Sequence, residues 1–399
     1  MKSSGMKSMG MKAAWALAAA LLLAPAVLGS QALGLLSQMG IAVILSMSFW
    51  LLMGQGGMVS FGHALYSGLG AFVAIYGMRA IEAGAAWPMA LVPLLAALAV
   101  ATLAWPLGWL ATRHDSPMVF AMITLGLGEL AWAVAQMLPG IFGGEAGIAA
   151  DRTAGATRGG LSLGPAWQVY LLVLAYTGAT LALVWGLTRT ALGRLLNAVR
   201  DNPVRVSFMG HDPRRIRHVG FVVAAFFAGL AGALAALFNE IVSTEVLSSH
   251  RSAMVLVFTL IGGLGSMAGG VIGGVLMVLA TVLLSSWTPA WQLYMGLAFV
   301  GVLLLMPGGI AGGWRSMVHA ALARPLGALA LALGALAAGA LLEMAYQLRL
   351  ASTLGPQVGF LGLKLDAHAA GHWCTGLAVL GLGLALWRLA FRRPSRTTP

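Results

Sequence analysis

Charge is scarce in this chain. Asp, Glu, Lys and Arg make up only 9% of its 399 residues, against about 25% in an average soluble domain. Hydrophobic residues make up 60%, and the mean hydropathy is +0.90. A soluble core cannot hide that much apolar surface, which excludes a soluble enzyme, a disordered chain and a nucleic-acid-binding domain. Cysteine is almost missing. Cys374 stands alone, which excludes an internal disulfide and a cysteine-based metal site. It reads as a small apolar residue in a helix. Lysine occurs only at Lys2, Lys7, Lys12 and Lys364, never after a glycine. No Walker A phosphate loop exists, so this chain carries no ATPase of that type. No His-Glu-x-x-His zinc motif occurs, and no nucleophile-elbow motif accompanies Ser67-Gly68 or Ser266.

What is present is a series of long apolar runs. They lie at 13–29, 32–53, 57–78, 87–111, 118–138, 167–187, 218–239, 252–264, 267–286, 291–309, 325–345 and 372–391. A spanning helix needs about 20 apolar residues, whereas a membrane strand alternates over about 10. These runs are apolar on every face. The fold class is therefore all-α: a polytopic transmembrane helix bundle of about ten core spans with an appended pair. Residues 1–320 form the expected membrane core, and 321–399 the extra helix pair. The run at 252–264 is short for a full crossing. It is counted as crossing because the charge pattern requires it. Lys2, Lys7 and Lys12 precede the first run, which is read as an uncleaved helix rather than a cleaved signal peptide.

The balance of 23 basic against 11 acidic residues gives a net charge of +12. With a cytoplasmic N-terminus and alternating spans, 17 of the 23 basic residues fall inside, as the positive-inside rule requires. Arg315 and Arg324 keep to that side only if the short run crosses. Both termini are then cytoplasmic.

Several segments are candidates for function. Residues 54–72 hold glycines at 54, 56, 57, 62, 68 and 70 together with Ser60 and His63. Small residues allow close helix approach, and glycine permits a helix broken where it borders a cavity. Gly54, Gly57 and Gly62 suit tight packing, while Ser60 and His63 suit either satisfied packing or the lining of a path. Residues 262–274 contain the pairs Gly265 with Gly269, Gly269 with Gly273 and Gly270 with Gly274, the pattern of a helix-contact surface. Phe226 to Gly232 is a further stretch of this kind. Glu129 lies inside an expected span. It is expected to face the bundle interior, as a hydrogen-bond partner or in a pathway. Glu240 and Glu245 fall at a membrane edge, where solvation is cheap.

The inside segment 188–217 is basic and reads as a short amphipathic helix carrying Leu192, Leu195, Leu196 and Val199. Arg194, Arg200 and Arg205 are expected to face solvent, and Asp201-Asn202-Pro203 is a stop signal. Anionic-lipid contact would explain the arginines. A docking helix for a cytoplasmic partner explains the apolar stripe and the stops as well.

Taken in order, these segments resemble the permease subunits of branched-chain amino acid ABC transporters, the LivM-like type, with urea permeases as close relatives. The resemblance rests on Gly54–Ala64 (G-x-x-G-x-x-S-x-G-H-A), FGGEAGI at 142–148, LGRLLNAVRDNPVRVSFMG at 192–210, FFAGLAGAL at 226–234, IGGLGSMAGGVIGG at 261–274 and LMPGGIAGG at 305–313. It covers about residues 30–315. It implies an importer in a bacterial inner membrane, built from a second related permease, two cytoplasmic ATP-binding subunits and an extracytoplasmic solute-binding protein. ATP and Mg belong to the partner subunits, and this chain would bind no cofactor or metal. Gly193, Ala198, Asp201 and Gly210, with Arg194 and Arg200 among them, match the coupling-loop pattern. Branched-chain amino acids are the expected solute. Urea or short amides, or a proton- or sodium-driven secondary transporter, are the alternatives. An integral membrane enzyme using Ser60 and His63 is a third reading. The family pattern ends near residue 315, so 321–399 has no counterpart in it.

Overall fold

The computed structural model describes residues 20–114, 116–154, 163–288, 290–306 and 308–313, then 333–334, 337–346, 348, 357–360, 363–366 and 369–391. The chain forms two compact units. One comprises Met1–Leu283 with Pro307–Gly312, the other Leu284–Met306 with Gly313–Pro399.

The first unit is a helix bundle. Helix α1 (Ser30–Trp50) runs on through a π turn at Leu51–Gln55, and α2 is His63–Glu82. Helix α3 (Val92–Thr112) follows a 3-10 turn at Met89–Leu91, and α4 is Pro117–Met137. Helix α5 (Ala166–Arg189) leads into two short helices, α6 (Ala191–Asp201) and α7 (Pro203–Phe208). Then come α8 (Pro213–Asn239), α9 (Ser249–Gly262) and α10 (Met267–Val278), which continues through Leu279–Leu284 to Trp287. Proline opens α4, α7 and α8, where its missing N–H costs nothing. Thr190, Asn202 and Asp212 cap α6, α7 and α8 through their side chains.

Among the described residues, seven helices are long and apolar enough to cross a membrane: Ser30–Gln55, His63–Glu82, Met89–Thr112, Pro117–Met137, Ala166–Arg189, Pro213–Asn239 and Met267–Trp287. That is fewer than the ten core spans the apolar runs suggest, and the reason is local. Helix α9 has 14 residues, which rise only about 21 Å against a hydrocarbon core of about 30 Å. The run before it is completed by extended residues Ile241–Val242 and a 3-10 turn at Thr244–Leu247. Residues 13–19 of the first expected span lie outside the described residues.

Lipid is as apolar as leucine, so helices in a membrane associate by close packing rather than by apolar burial. Helices α1 and α8 form the centre, and α1 is buried without a break from Ile41 to Leu52. Helices α2 and α8 meet backbone to backbone. A Cβ on Gly232 would stand 1.7 Å from the Ser67 carbonyl oxygen, and one on Gly70 would stand 2.2 Å from that of Gly229. The Phe226–Gly232 stretch is thus a contact surface, as its composition suggests.

At one end of this unit, β1 (Ile148–Ala149) pairs antiparallel with β2 (Ile241–Val242). Arg79 donates to the Ala149 carbonyl at 3.0 Å, and Arg152 pairs with Glu240 at 3.5 Å. The Gly-rich segment 142–148 makes this turn possible. Gly143 and Gly147 have φ of +73° and +74°. At the opposite end lie α6 and α7.

The second unit contains α11 (Trp291–Leu305), a hairpin of β3 (Gln357–Phe360) and β4 (Leu363–Asp366), and α12 (Ala370–Phe391). Glu343 is buried and accepts from Thr288 and from Tyr294, the latter at 3.1 Å. Cys374 is exposed on α12. Of the appended pair, the first helix is described only in part.

Gly232→Ala should lower the thermal unfolding midpoint of the purified protein, at a cost of about 1–3 kcal/mol from overpacking. Gly178→Ala on α5 meets nothing within 4 Å and should leave the midpoint unchanged or raise it. Equal tolerance of both would contradict the α2–α8 contact.

Candidate functional site

Three breaks in helical structure meet beside the lower half of α1. The first is the glycine segment itself. After the π turn the chain reverses at Gly57, where φ is +66°. It re-enters the bundle and starts α2 at His63. Thr124 Oγ1 on α4 accepts from the Phe61 backbone N–H at 3.3 Å. A Cβ on Gly62 would lie 1.9 Å from the Thr124 carbonyl oxygen, so only glycine fits there. The second break is the start of α9, where Ser252 Oγ accepts from the Ala64 backbone N–H at 2.8 Å. That hydrogen bond satisfies one of the free donors at the N-terminus of α2. The third is the turn between α9 and α10. Trp50 Nε1 donates to the Leu264 carbonyl at 3.0 Å.

The polar groups of the first break are sealed from solvent. Ser48 and Ser60 are 0% exposed, and His63 and Tyr66 are 1% exposed. Ser48 Oγ donates to the Leu45 carbonyl at 2.6 Å and lies 2.8 Å from His63 Nε2. With the single serine proton on the Leu45 carbonyl, the imidazole is the donor at Nε2. In the neutral ring Nδ1 is then a bare acceptor, and it has no partner. Ser60 Oγ and the Tyr66 hydroxyl also lack partners. Leaving such a buried group unpaired costs about 1–3 kcal/mol, and three such groups fall within seven residues here. The rings of Phe49 and Tyr66 stand edge-on to His63, and Phe221 edge-on to Tyr66.

The glycines of 262–274 serve the third break. A Cβ on Gly269 would stand 1.8 Å from the Gly263 carbonyl oxygen, and one on Gly273 2.6 Å from that of Phe258. Gly270 and Gly274 face α1 at Met47 and Val43. Gly265 differs. No atom stands within 4 Å of its Cβ position, because it lies in the turn rather than on the helix. Gly309, from the LMPGGIAGG stretch, packs its backbone against Gly263.

Helix α6 is seated on the end of α1. Leu196 and Val199 are fully buried in a cluster with Val206 and Ile216. A Cβ on Gly220 would strike Leu196, and one on Gly193 would strike the Leu187 carbonyl. Asn197 donates to the Gln55 side chain at 2.6 Å, and Arg200 donates to the Gly54 carbonyl. Arg200 also pairs with Asp201 at 3.1 Å, and its stem covers Gly57. The expectation that Arg200 only faces solvent is therefore corrected. Its side chain is 40% exposed, yet its guanidinium binds the membrane segment. Arg194 is exposed and Ala198 half-buried against the cluster. Gly210, with φ of +81°, turns the chain toward α8. The apolar residues Val204, Phe208 and Met209 are 61%, 87% and 66% exposed; neither composition nor periodicity singles them out.

Glu129 does not join Ser60 and His63. It sits half-buried near the middle of α4, one residue beyond the Gly128 that abuts Gly62. Beside it Met118, Met122, Leu125 and Leu130 are exposed. Among the described residues no group of three or more His, Cys, Asp or Glu converges as a metal site would require.

A bundle of spanning helices, broken at its centre and tied to a helical element at one end, defines a multi-pass membrane permease. Residues 31–307 match the family described as "Branched-chain amino acid transport system / permease component", and the chain belongs to that family. It is 28% identical over 293 residues to the high-affinity branched-chain amino acid transport system permease protein LivM of Escherichia coli K12, covering 68% of this chain and 66% of that one. The Salmonella typhimurium LivM matches to the same extent. The E. coli K12 permease protein LivH is 24% identical over 292 residues, covering 67% of this chain and 90% of that one. The chain thus spans slightly less than two thirds of the LivM relatives. No solved structure matches it.

Ser48→Ala should destabilise the protein by about 1–3 kcal/mol, since it leaves buried His63 Nε2 without its partner. Tyr66→Phe removes a hydroxyl without a partner and should leave thermal stability unchanged or higher. A Tyr66→Phe loss as large as that of Ser48→Ala would show that the hydroxyl is bonded after all.

Proposed function

We propose that this chain is one permease subunit of an ATP-driven importer for branched-chain amino acids in a bacterial inner membrane. The observation that carries the reading is the connection from α6 and α7 to the broken centre. Arg200 and Asn197 hold Gly54 and Gln55, and the same short unit exposes Val204, Phe208 and Met209. Apolar side chains exposed on a basic segment suit a protein partner. Two cytoplasmic ATP-binding subunits, which bind the ATP and Mg, are the fitting partners. Their closure would press α6 and α7 as one rigid piece and pass the motion to α5, α8 and the Gly54–Gly62 segment. Rigid shifts of packed elements are how bistable bundles switch. Both termini and the α6–α7 end then face the cytoplasm. The end carrying β1 and β2 faces the extracytoplasmic solute-binding protein. The chain itself acts as a permease without enzymatic chemistry or a cofactor of its own.

Ser60, His63 and Tyr66 would line the solute path when the bundle opens, exchanging unmet hydrogen bonds for those of a passing ammonium or carboxylate. Glu129 supports a second, related permease chain packed on α4. An acid at mid-helix among lipid-facing methionines is costly, and a facing chain relieves that cost. The names of the LivM and LivH relatives support both the solute class and the paired permeases. Residues 321–399 are an accessory helix pair outside this core.

The test is ATP-dependent leucine uptake by the complex purified with its partners and reconstituted in vesicles. Phe208→Asp should leave insertion and thermal stability intact and reduce uptake roughly tenfold or more, as loss of a buried anchor does. Unchanged uptake with an unchanged ATPase rate would remove the docking assignment. Uptake that survives loss of the ATP-binding subunits would overturn the importer class.

A further inference from the structure

Apart from the solute path, one side of the bundle carries a groove with a basic mouth and an apolar floor. On α3, Ala101, Trp105, Trp109 and Arg113 recur every four residues and therefore share a face. On α8, Arg215, His218, Val222 and Phe226 do the same at steps of three and four. At the α6 end the two stripes enclose a cavity of about 300 Å³, lined by Trp109, Arg113, Arg214, Arg215, Asp212 and His218. Further along the same stripes lies a second cavity of about 380 Å³, bounded by Ala101, Leu187, Val222, Val223 and Phe226. The mouth holds three guanidinium groups against one carboxylate. Asp212 caps the Arg214 backbone N–H at 2.9 Å and pairs with Arg215 at 3.4 Å.

Aromatic residues set the depth of this mouth. Trp105 and Trp109 are 57% and 56% exposed, and the Arg113 guanidinium lies 4.6 Å from the Trp109 ring centre. On neighbouring α5, Arg189 lies 3.6 Å from the ring centre of Trp185, which is 51% exposed. Exposed tryptophans beside arginines mark the headgroup level of a bilayer. From Arg215 to Phe226 a helix rises about 16 Å, close to the half-thickness of a bilayer core of about 30 Å.

We infer that this groove is a binding site for an anionic phospholipid of the leaflet on the α6 side. The phosphate is held by Arg113, Arg214 and Arg215. The glycerol region lies on Trp105 and Trp109, and one acyl chain fills the apolar cavity between α3, α5 and α8. A basic pocket between spanning helices is the form such sites take. A soluble protein would cover the mouth but has no means to fill the apolar cavity beyond it. Ile216, one residue past Arg215, packs in the α6–α7 cluster, so the lipid braces the base of α8 where that cluster is anchored.

The experiment is native mass spectrometry of the full chain, purified in mild detergent and titrated with phosphatidylglycerol, phosphatidylcholine or inorganic phosphate. Wild type should bind phosphatidylglycerol in preference to phosphatidylcholine. Arg113→Ala and Arg215→Ala should each weaken it about fivefold, and Val222→Trp should weaken it by filling the groove. Arg194→Ala, at an exposed position elsewhere, should have no effect. If a variant fails to fold, the wild-type thermal midpoint decides, since a ligand of the folded state must raise it. Phosphatidylglycerol should raise it and phosphatidylcholine should not. Equal binding of both lipids would overturn the inference, as would full competition by inorganic phosphate with Val222→Trp unaffected, which would reveal a free-phosphate site.

Discussion

The carbonyl of Gly54 is the point on which this permease core depends. It accepts from Arg200 on α6, while a Cβ on the same residue would crowd the Trp50 indole and stand 3.1 Å from the Leu264 carbonyl oxygen. One residue on, Gln55 is held by Asn197. The end of α1, the turn between α9 and α10 and the short helix outside the bundle are therefore joined within two residues. A carbonyl at a helix end has no partner within its helix. In an apolar setting that vacancy is expensive, and the guanidinium fills it. The connection stands on backbone geometry as much as on side-chain identity.

Breaking helices inside a membrane protein exposes backbone groups that lipid cannot satisfy. Here each break borrows a side chain from another element. Thr124 serves Phe61, Ser252 serves Ala64, and Trp50 serves Leu264. Backbone needs are met while side chains at the same place are not. Ser60, His63 Nδ1 and Tyr66 remain without partners. That contrast separates a core that merely packs from one that leaves polar valence open. The same small residues that let α2 and α8 touch also let α9 and α10 approach α1 without any apolar driving force.

Much of this was legible in the amino-acid sequence, and the rest was hidden for definite reasons. Composition gave away the helical membrane class, and glycine spacing gave away the contact surfaces, because a missing side chain is visible in one dimension. Gly265 misled, since spacing alone does not distinguish a helix face from the turn before it. The 252–264 run forms a helix of 14 residues, Ser249–Gly262, and hydropathy did not show that a 3-10 turn at Thr244–Leu247 precedes it. Arg200 read as a solvated charge because its partner, the Gly54 carbonyl, lies 146 residues away and backbone oxygens carry no sequence signal. Asn197 was missed because its partner, the Gln55 side chain, lies 142 residues away, and Ser48 because no spacing pattern ties a helix serine to His63 in the next helix. Glu129 drew notice as an intramembrane acid, yet it lies on α4 apart from the Ser60–His63 pair.

The claim at the centre of this account is that α6 and the Gly54–Gln55 segment move as one body. A direct measurement joins them covalently. Gln55→Cys with Asn197→Cys, in a Cys374→Ser background, is bridged in the reconstituted complex by a short bis-methanethiosulfonate, from which each cysteine thiolate displaces a sulfinate to form a reducible disulfide. The account predicts that the bridged transporter keeps ATP-driven uptake near the unbridged rate, since nothing between the two sites needs to separate. Uptake abolished by the bridge and restored on its cleavage would contradict the account, because it would mean that the Asn197–Gln55 contact must open in every cycle.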